Sequence, residues 1–503
     1  MVDAKAEGLI VGVVGCGAMG QGIIQVSLQG GLKVVAYDAK DGGAEAGVAK
    51  VIERLDRLVE KERISTADAE AMKAALSVAS DISDLAPCQL VVEAVFEDIG
   101  VKHEVFGKLE EVVAPDAILA SNTSSLPIGS IARPLKHPER VAGLHFFNPV
   151  PLMRLVEVIK GPATSDAVID SLKIIGDRMG RVPVVVKDSP GFLVNLGGRA
   201  FTTEGLALHH EQVATEAQID AIMRDCAHFR MGPFELMDLT GIDVNYPVSM
   251  IVFEQFLNDP RLHTFPHHRS LYDAGRFGRK TGIGHFRYDA KGQKIDPPSA
   301  DYVTESAPAE IVACATPEDA ELAAVIEQLG LVAKPDDGAL PVLATFHGED
   351  ATGFAFRTGT DPKRLVAIDA TGDTSKRLTL MQAPSANRAC LDAVVAAVMA
   401  KGIAATVIAD SPGFVLQRMR AMIANLGCEM AQIGLATPQD IDTAMKLGLN
   451  YPMGPLEIVE DLGAERTFTI LQEIQAATGD PRYRPSLWLR RRALLGMGTH
   501  SAG

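Results

Sequence analysis

The chain has 503 residues, 47% of them hydrophobic, and a formal net charge of −16. This length indicates three or four domains, and the hydrophobic content argues against global disorder. The acidic charge disfavours nucleic acid and anionic membranes as main partners. The six cysteines form no Cys-x-x-Cys pair, and neither a signal peptide nor a transmembrane run is recognised, so we expect reduced thiols, no metal site and a cytoplasmic location.

The first predicted element is a short buried strand at residues 9–14, which leads into a glycine-rich loop and then a helix. The loop consists of Gly15-Cys16-Gly17-Ala18-Met19-Gly20. Its glycines permit a tight turn and bring backbone amides close to a pyrophosphate at a helix N-terminus. A second strand ends at Asp38, whose carboxylate can bind an adenosine ribose and repels a 2′-phosphate. This order of elements predicts a Rossmann domain that binds NAD rather than NADP.

The next segments predict two helices at residues 42–80 and further buried strands at 89–95 and 118–120. Glu97 and Lys102 follow the first of these strands. The second opens onto Ser121-Asn122-Thr123-Ser124-Ser125. Ligands bind at the carboxyl ends of strands in an open α/β sheet, so this polar run is either a ligand contact or N-cap chemistry for the next helix.

Residues 143–158, GLHFFNPVPLMRLVEV, contain a histidine and a glutamate in two apolar runs. The intervening prolines are disfavoured inside a central strand and predict a connection between two antiparallel strands. His145 and Glu157 each lie six residues from Pro151, so we expect them to face each other. The pair is either a general base oriented by a carboxylate, or a core histidine with a salt-bridged glutamate.

From residue 188 a helical pattern replaces the strands, and it closes with a basic, glycine-rich loop. The chain then repeats itself. DSPGF at 188–192 recurs at 410–414, and MGPFEL at 231–236 recurs as MGPLEI at 453–458, both with an offset of 222 residues. Between the copies, residues 291–330 are interpreted as an irregular link followed by a helix. The strands then predicted at 340–346, 365–369, 378–381 and 404–408, with a helix at 385–401, indicate a fragment of an α/β layer.

The second copy lacks polar residues that the first copy carries. At the offset of 222, the pairs are Asn195 with Gln417, His145 with Ala367, and Glu157 with Thr379. The GRKTG segment does not recur either. We therefore expect the chemistry in the first copy, and a structural or substrate-enclosing role for the second.

Together these motifs resemble the L-3-hydroxyacyl-CoA dehydrogenase family. The matching segments are GCGAMGQGI, VVEAVFED, SNTSSLPI, GLHFFNPVPLMRLVEVI, DSPGFLVN, MGPFEL and KTG. The length and the second helical copy resemble the family members of aerobic phenylacetate degradation, which are associated with 3-hydroxyadipyl-CoA. The resemblance implies a Rossmann-type α/β NAD-binding domain at 1–187, an all-α domain at 188–288, a linker with a degenerate α/β segment at 289–405, and a duplicated all-α domain at 406–503 without catalytic residues.

The resemblance also implies roles for individual residues. His145 would be the catalytic base and Glu157 its partner, while Ser124 and Asn195 would bind the substrate oxygen at C3. Cofactor contacts would be Gly15, Cys16, Gly17, Ala18, Met19, Gly20, Asp38, Glu97, Lys102, Asn122, Asn148 and Lys280. The CoA moiety would contact Arg54, Lys61 and Ser124, with Arg54 standing where relatives commonly have serine.

The predicted reaction is the reversible, NAD-dependent oxidation of a (3S)-3-hydroxyacyl-CoA to the 3-ketoacyl-CoA. Candidate substrates are 3-hydroxyadipyl-CoA and 3-hydroxybutyryl-CoA. Two other classes stay open, namely a Rossmann dehydrogenase for a free β-hydroxy acid and a non-catalytic NAD-binding structural protein. The sequence is compatible with a homodimer and with an intrachain pseudo-dimer formed by the helical domains.

Overall fold

The computed structural model describes residues 2–295 and 301–501. The chain divides into two compact units, the first formed by Met1–Leu196 with Ile433–Leu449 and the second by Gly197–Gln432 with Asn450–Gly503. Among the described residues, each unit contains one β-sheet and helices. In the described parts of the chain, no helix combines the length and the apolar character needed to cross a membrane.

The secondary structure alternates in the first part of each sequence copy and is helical in the second. The strands are β1 (Ile10–Val14), β2 (Lys33–Tyr37), β3 (Leu76–Val78), β4 (Leu90–Glu93), β5 (Ile118–Ser121), β6 (Val141–Phe146), β7 (Leu155–Lys160), β8 (Val182–Lys187), β9 (Ile311–Cys314), β10 (Val332–Ala333), β11 (Val342–Ala344), β12 (Leu365–Asp369), β13 (Arg377–Met381) and β14 (Ala404–Ile408). The helices are α1 (Ala18–Gln29), α2 (Gly43–Glu60), α3 (Thr66–Ala74), α4 (Ile99–Val112), α5 (Ile128–Ala132), α6 (Asp166–Arg178), α7 (Val194–His210), α8 (Glu216–Ala227), α9 (Pro233–Thr240), α10 (Ile242–Gln255), α11 (Pro266–Asp273), α12 (Ala320–Leu329), α13 (Ala351–Thr358), α14 (Arg388–Ala400), α15 (Leu416–Gln432), α16 (Pro438–Leu449), α17 (Pro455–Leu462), α18 (Ala464–Thr478) and α19 (Leu487–Leu495).

The sheet of the first unit has the Rossmann arrangement that the sequence predicts. Within residues 2–295, its eight strands lie in the order β3-β2-β1-β4-β5-β6-β7-β8. Neighbouring strands are parallel except β6 and β7. The apolar runs of β1 and β4 are buried almost throughout, as expected of parallel strands covered on both faces. The strand order reverses between β1 and β4, where open α/β sheets bind ligands beyond the carboxyl ends of the strands.

The predicted hairpin around Pro151 is confirmed. Strands β6 and β7 pair antiparallel, and His145 stands directly opposite Glu157 in the register. The two prolines lie in the connection, outside both strands. The sheet therefore places an imidazole and a carboxylate side by side on neighbouring strands.

The second unit contains a fuller sheet than the sequence predicts. Within residues 301–501, six strands lie in the order β10-β9-β11-β12-β13-β14. The four predicted strands are confirmed, but the irregular link predicted for residues 291–330 is wrong in part because it contains β9. This four-residue strand is too short to show a pattern and is held by pairing with β10 and β11. Residues 296–300 of the predicted link lie outside the described residues.

The repeated DSPGF motif has the same structural role in both copies. The carboxylate of Asp188 accepts hydrogen bonds from the backbone N–H groups of Ile128 and Gly129 at the start of α5. In the second copy, the Asp410 carboxylate accepts hydrogen bonds from the backbone N–H groups of Ala351 and Thr352 at the start of α13. Burial raises the pKa of both carboxyls, while the N–H donors oppose that rise. The repeat therefore extends beyond the helical domains into the α/β layers.

Helices α8 and α16 are exchanged between the two copies. Helix α16 belongs to the second copy but packs against β7 and β8 in the first unit, where the Leu435 carbonyl accepts a hydrogen bond of 2.8 Å from the Lys187 N–H. Helix α8 belongs to the first copy but packs against β13 in the second unit. There the Val213 carbonyl accepts a hydrogen bond of 2.9 Å from the Ala409 N–H. At the repeat offset of 222, Lys187 corresponds to Ala409 and Val213 to Leu435. The same backbone hydrogen bond therefore occurs once in each unit.

Candidate active site

In the glycine-rich loop between β1 and α1, Gly15 and Gly20 pack against backbone atoms, whereas Gly17 faces open space. Gly15 has φ of +93°, and a Cβ on it would lie 2.7 Å from the Ala94 carbonyl oxygen. A Cβ on Gly20 would lie 1.8 Å from the Gly15 carbonyl oxygen, so both positions require glycine. Gly17 has no atom within 4 Å of such a Cβ and caps α1 without a side-chain hydrogen bond. The first turn of α1 can therefore receive a pyrophosphate against its N–H groups.

Asp38 follows β2 and lies beside this loop. Its Oδ2 accepts a hydrogen bond of 2.7 Å from the Cys16 N–H, and its Oδ1 accepts one of 2.9 Å from the Lys40 N–H. A cavity of about 630 Å³ at the carboxyl ends of β1, β2 and β4 is lined by Asp38, Gly17 and Phe96, among others. An acid at this place can bind ribose hydroxyls, which fits the adenosine half of NAD.

A buried ion pair lies at the end of β4. The Lys102 side chain is 1% exposed, and its Nζ lies 2.7 Å from Oε1 of Glu93 and 3.3 Å from Oε2 of Glu97. The Ser121 hydroxyl donates a hydrogen bond of 2.6 Å to Glu93. Glu93, the first acid of the VVEAVFED segment, is not among the site residues predicted from the sequence. The contact predicted between Lys102 and the cofactor stays a prediction, and the observed contacts of Lys102 join β4 to α4.

Glu97 holds the polar loop after β5. Its Oε1 accepts hydrogen bonds from the N–H groups of Ser124 and Ser125, at 2.9 and 3.0 Å, and from the Thr123 hydroxyl at 2.5 Å. Burial alone would raise the pKa of Glu97, but these donors and the Lys102 ammonium lower it below its usual value. Glu97 is therefore an ionised anchor for the loop that carries Ser124.

His145 and Glu157 form a buried, directly bonded pair. His145 is 6% exposed, and its Nδ1 lies 2.6 Å from Oε2 of Glu157, which is fully buried. The rings of Phe147 and Phe192 lie 4.5 and 6.0 Å from the imidazole, centroid to centroid. If Nδ1 carries the proton shared with the carboxylate, Nε2 has the free lone pair and can accept a proton. The sequence reasoning did not identify the two aromatic neighbours.

Three of the predicted contacts lie around this pair. The Asn195 Nδ2 donates a hydrogen bond of 3.3 Å to the Ser124 carbonyl. The preceding residue, Val194, donates its N–H to Glu157. The Asn122 Oδ1 accepts a hydrogen bond of 2.9 Å from the Phe146 N–H, next to His145. Asn148 is exposed in the connection between β6 and β7. The structure thus brings Ser124, Asn195, Asn122 and the histidine into one region of the first unit.

Three further predicted residues make other contacts or are exposed. The Arg54 guanidinium is 3.0 Å from Oε1 of Gln21, whose Nε2 donates to the Cys16 carbonyl in the glycine-rich loop. Lys61 is exposed at the end of α2. Lys280 belongs to the second unit, where its Nζ pairs with Asp243. The ligand contacts predicted for these three residues stay predictions.

The second copy differs from the predicted alignment in β12. Glu157 pairs with Val184, and Thr379 pairs with Thr406, so Thr379 is the counterpart of Glu157 at the offset of 222. Opposite Thr379, however, stands Asp369, whereas Ala367 stands opposite Met381. The pairing of His145 with Ala367 is therefore wrong. The connection between β12 and β13 is two residues shorter than that between β6 and β7, which shifts the register.

Asp369 has a different chemistry from the histidine it replaces. It is buried, and its Oδ1 accepts hydrogen bonds from the Thr371 hydroxyl at 2.7 Å and from Gln417 Nε2 at 3.3 Å. Burial raises the pKa of the Asp369 carboxyl, and these hydrogen bonds oppose the rise. Gln417 is the counterpart of Asn195, so the second copy keeps a polar contact here without an imidazole.

The fold and these contacts define a class of protein. A Rossmann sheet with an open glycine-rich loop, an acid after β2 and an imidazole held by a carboxylate are the parts of a nicotinamide-dependent dehydrogenase. Comparison with known families gives the same class. Residues 10–189 match the NAD binding domain of 3-hydroxyacyl-CoA dehydrogenase, and residues 191–288 and 413–502 match its C-terminal domain. The chain belongs to the 3-hydroxyacyl-CoA dehydrogenase family, and its cofactor is NAD.

Individual relatives match all or part of the chain. The chain is 36% identical over 497 residues to the 3-hydroxyadipyl-CoA dehydrogenase of Escherichia coli K12, with 98% of each chain covered. It matches the crystal structure of a 3-hydroxybutyryl-CoA dehydrogenase from E. coli K12 with a TM-score of 0.85 and 36% identity, covering 97% of this chain and 98% of that one. The (S)-3-hydroxybutyryl-CoA dehydrogenase structure from Ralstonia eutropha matches at a TM-score of 0.54 and 36% identity, covering 56% of this chain and 99% of that one.

Proposed function

We propose that His145 is the general base in the NAD-dependent oxidation of a (3S)-3-hydroxyacyl-CoA to the 3-ketoacyl-CoA. The observation that carries this proposal is the 2.6 Å contact between His145 Nδ1 and Glu157 Oε2, inside a sheet that binds NAD. Membership of the family disfavours the two other classes considered from the sequence, a free hydroxy acid dehydrogenase and a non-catalytic protein.

The histidine supplies the proton transfer. Its Nε2 removes the proton of the C3 hydroxyl and can return it in the reverse direction, because histidine has an unperturbed pKa of about 6.5. Glu157 keeps the proton on Nδ1 and stabilises the imidazolium once it forms. NAD, held by the glycine-rich loop and Asp38, would supply the acceptor for the hydride from C3.

The polar loop and the start of α7 orient the substrate. We assign hydrogen bonds to the C3 oxygen to Ser124 and Asn195, which already contact each other through the Ser124 carbonyl. Glu97 fixes the backbone of Ser124, so the loop is ordered before substrate binds. Preorganised contacts of this kind lower the barrier by holding the reacting atoms in place.

The cofactor and CoA contacts are proposed from the resemblance to the family. For NAD these are Gly15, Cys16, Gly17, Ala18, Met19, Gly20, Asp38, Glu97, Lys102, Asn122, Asn148 and Lys280. For the CoA phosphates we propose Arg54 and Lys61, two cations in an acidic protein. Six free thiols fit a reducing compartment, which supports a cytoplasmic location.

Two substrates are suggested by the names of the relatives, 3-hydroxyadipyl-CoA and 3-hydroxybutyryl-CoA. Coverage does not separate them, since both named relatives are covered over 98% of their length. We favour 3-hydroxyadipyl-CoA, because the chain length and the second helical copy resemble the family members associated with this substrate. A panel of short, long and ω-carboxylated 3-hydroxyacyl-CoA thioesters tests this choice. A kcat/KM that is higher for the C4 thioester than for 3-hydroxyadipyl-CoA would contradict it.

The role of His145 is tested by substitution. The His145→Ala variant should lose about 10²–10⁴-fold in the rate of NADH formation with a 3-hydroxyacyl-CoA, the usual contribution of a general base. His137→Ala is the matched control, since His137 is an exposed histidine of the same unit. An unchanged rate in His145→Ala, with NAD still bound, would refute the assignment.

We also propose that one chain forms an intrachain pseudo-dimer and is monomeric in solution. The exchange of α8 and α16 supports this, because each copy supplies a helix to the sheet of the other. The four segments predicted from the sequence, 1–187, 188–288, 289–405 and 406–503, remain our domain description. Light scattering of the purified protein should give the mass of one chain, about 53.5 kDa, and twice that mass would overturn the proposal.

A further inference from the structure

Three metal-ligating side chains meet in the second unit, outside the candidate active site. His209 lies in the last turn of α7, Glu216 in the first turn of α8, and His267 in the first turn of α11. The Nε2 atoms of His209 and His267 lie 3.6 and 3.7 Å from the same Oε1 of Glu216. One ligand atom from each residue lies within 4.8 Å of both others.

A third imidazole, that of His285, lies beside this cluster. The ring of His285 is 5.2 Å from that of His267, centroid to centroid. Both ring nitrogens of His285 and the Nε2 of His267 are buried and have no hydrogen-bond partner among the described residues. Buried polar atoms without partners are rare in folded proteins, so these nitrogens call for a ligand.

Two of the three separations between ligand atoms are close to those around a tetrahedral ion, and the third lies within 4.8 Å. Zinc binds imidazole nitrogen and carboxylate oxygen at about 2.0–2.2 Å, which places neighbouring ligand atoms roughly 3.3 Å apart. The two observed separations of 3.6 and 3.7 Å need to shorten by only a few tenths of an ångström. The three side chains are 27%, 23% and 32% exposed, so the cluster lies near the surface although the His267 Nε2 is itself buried.

The second helical copy is an internal control for this cluster. At the offset of 222, His209 and Glu216 correspond to Ala431 and Pro438. The DPR segment at 259–261 recurs at 480–482, and the same alignment places Trp488 at the position of His267. The helical framework of the second copy forms without any of the three ligand residues. The fold therefore does not require two histidines and a glutamate at these positions.

We propose that His209, Glu216 and His267 bind one divalent transition-metal ion of the zinc class. The ion would link α7, α8 and α11. Two histidines and a carboxylate are a donor set that zinc uses in proteins. The sequence shows no metal-site spacing because the ligands come from three separate helices.

Zinc binding by the full-length, untagged protein tests the proposal. After treatment with a chelator, the protein should take up one Zn²⁺ per chain in competition with a chromophoric chelator, and zinc should raise its melting temperature. Co²⁺ should give the visible absorption of a four-coordinate site. The Glu216→Gln and His267→Phe variants should each lose at least about 100-fold in zinc affinity, since loss of outer-shell partners already costs 10–100-fold.

His210→Ala is the matched control, because His210 is adjacent to His209 but exposed, with its ring against Phe265. It should keep the affinity of the wild type. Circular dichroism checks the fold of each variant, and the cobalt spectrum of the wild type gives an answer that needs no variant. The proposal is overturned if the wild type binds neither Zn²⁺ nor Co²⁺, or binds them as well as the folded Glu216→Gln variant.

Discussion

The carboxylate of Glu157 binds the His145 ring through one oxygen and the start of α7 through the other. Its Oε2 contacts Nδ1 of the imidazole at 2.6 Å, and its Oε1 accepts hydrogen bonds from the N–H groups of Leu193 and Val194 at 3.1 and 2.9 Å. Asn195 is the next residue along. One buried side chain therefore sets the orientation of the imidazole and the position of the asparagine.

We expect the Glu157→Gln variant to fold and to bind NAD, but to lose about 10²-fold or more in kcat. The amide oxygen can still accept the N–H groups of α7, whereas a neutral amide neither stabilises the imidazolium nor fixes the tautomer of His145. Steady-state kinetics with a saturating 3-hydroxyacyl-CoA measure the loss. A kcat within about threefold of the wild type would show that the carboxylate charge is dispensable.

The Asp38→Ala variant should discriminate less between NAD and NADP. A hydrogen bond to a charged group contributes about 1.5–3 kcal/mol, so kcat/KM for NAD should fall about 10–100-fold. The ratio of NADP to NAD activity should rise, because the charge that repels a 2′-phosphate is gone. Asp41→Ala is the control, since Asp41 is an exposed acid three residues further along. Equal ratios in the wild type and in Asp38→Ala would refute the role of this acid.

Stability should depend on pH through Glu97. Its pKa is lowered in the folded chain, so the ionised form favours folding above the unfolded pKa, about 4.3, and this contribution is lost as the pH falls through the folded pKa. Urea unfolding of the wild type and of Glu97→Gln, at pH values above and below about 4.3, measures the contribution of the ionised carboxylate to the free energy of unfolding. The difference in unfolding free energy between the two proteins should shrink in acid. A difference that grows in acid would contradict the assigned direction.

A buried ion network should make Glu204 important for stability. Oε1 of Glu204 lies 2.8 Å from Arg418, Oε2 lies 3.2 Å from Arg482, and all three side chains are 0–1% exposed. Glu204→Gln leaves buried guanidinium charge uncompensated and should cost about 3–5 kcal/mol. Glu211→Gln removes another partner of Arg418 that is 38% exposed, and should cost about 1 kcal/mol or less. Urea unfolding compares the variants, and equal losses would contradict the role of burial.

The hairpin shows which parts of the fold the sequence can predict. His145 and Glu157 lie at equal distances from a proline-containing connection, and pairing of neighbouring antiparallel strands depends on little else. The glycine-rich loop and Asp38 belong to a single βαβ unit and are predictable for the same reason. Strand β9 was missed because its pairing with β10 and β11, rather than its own four residues, makes it a strand.

The candidate site was predictable where its residues follow one another and less so where they meet across the fold. A connection that is two residues shorter moves Asp369 into the place expected for Ala367, and no local pattern reveals that shift. The pairing of Lys102 with Glu93 likewise depends on burial in the folded sheet. The cluster of His209, Glu216 and His267 joins three helices, so linear spacing does not reveal it.

The contact between Lys187 and Leu435 has a consequence for how the protein is made. The first sheet is synthesised early, but α16, which packs against β7 and β8, leaves the ribosome only after residue 449. The face of β7 and β8 that α16 covers therefore stays uncovered until most of the chain has been synthesised. Contacts between residues so distant in sequence slow folding and leave apolar surface exposed in the meantime. In return, covalent linkage gives every first copy, which carries His145 and Glu157, one second copy, so the two halves can diverge as the subunits of a heterodimer do without a separate association step.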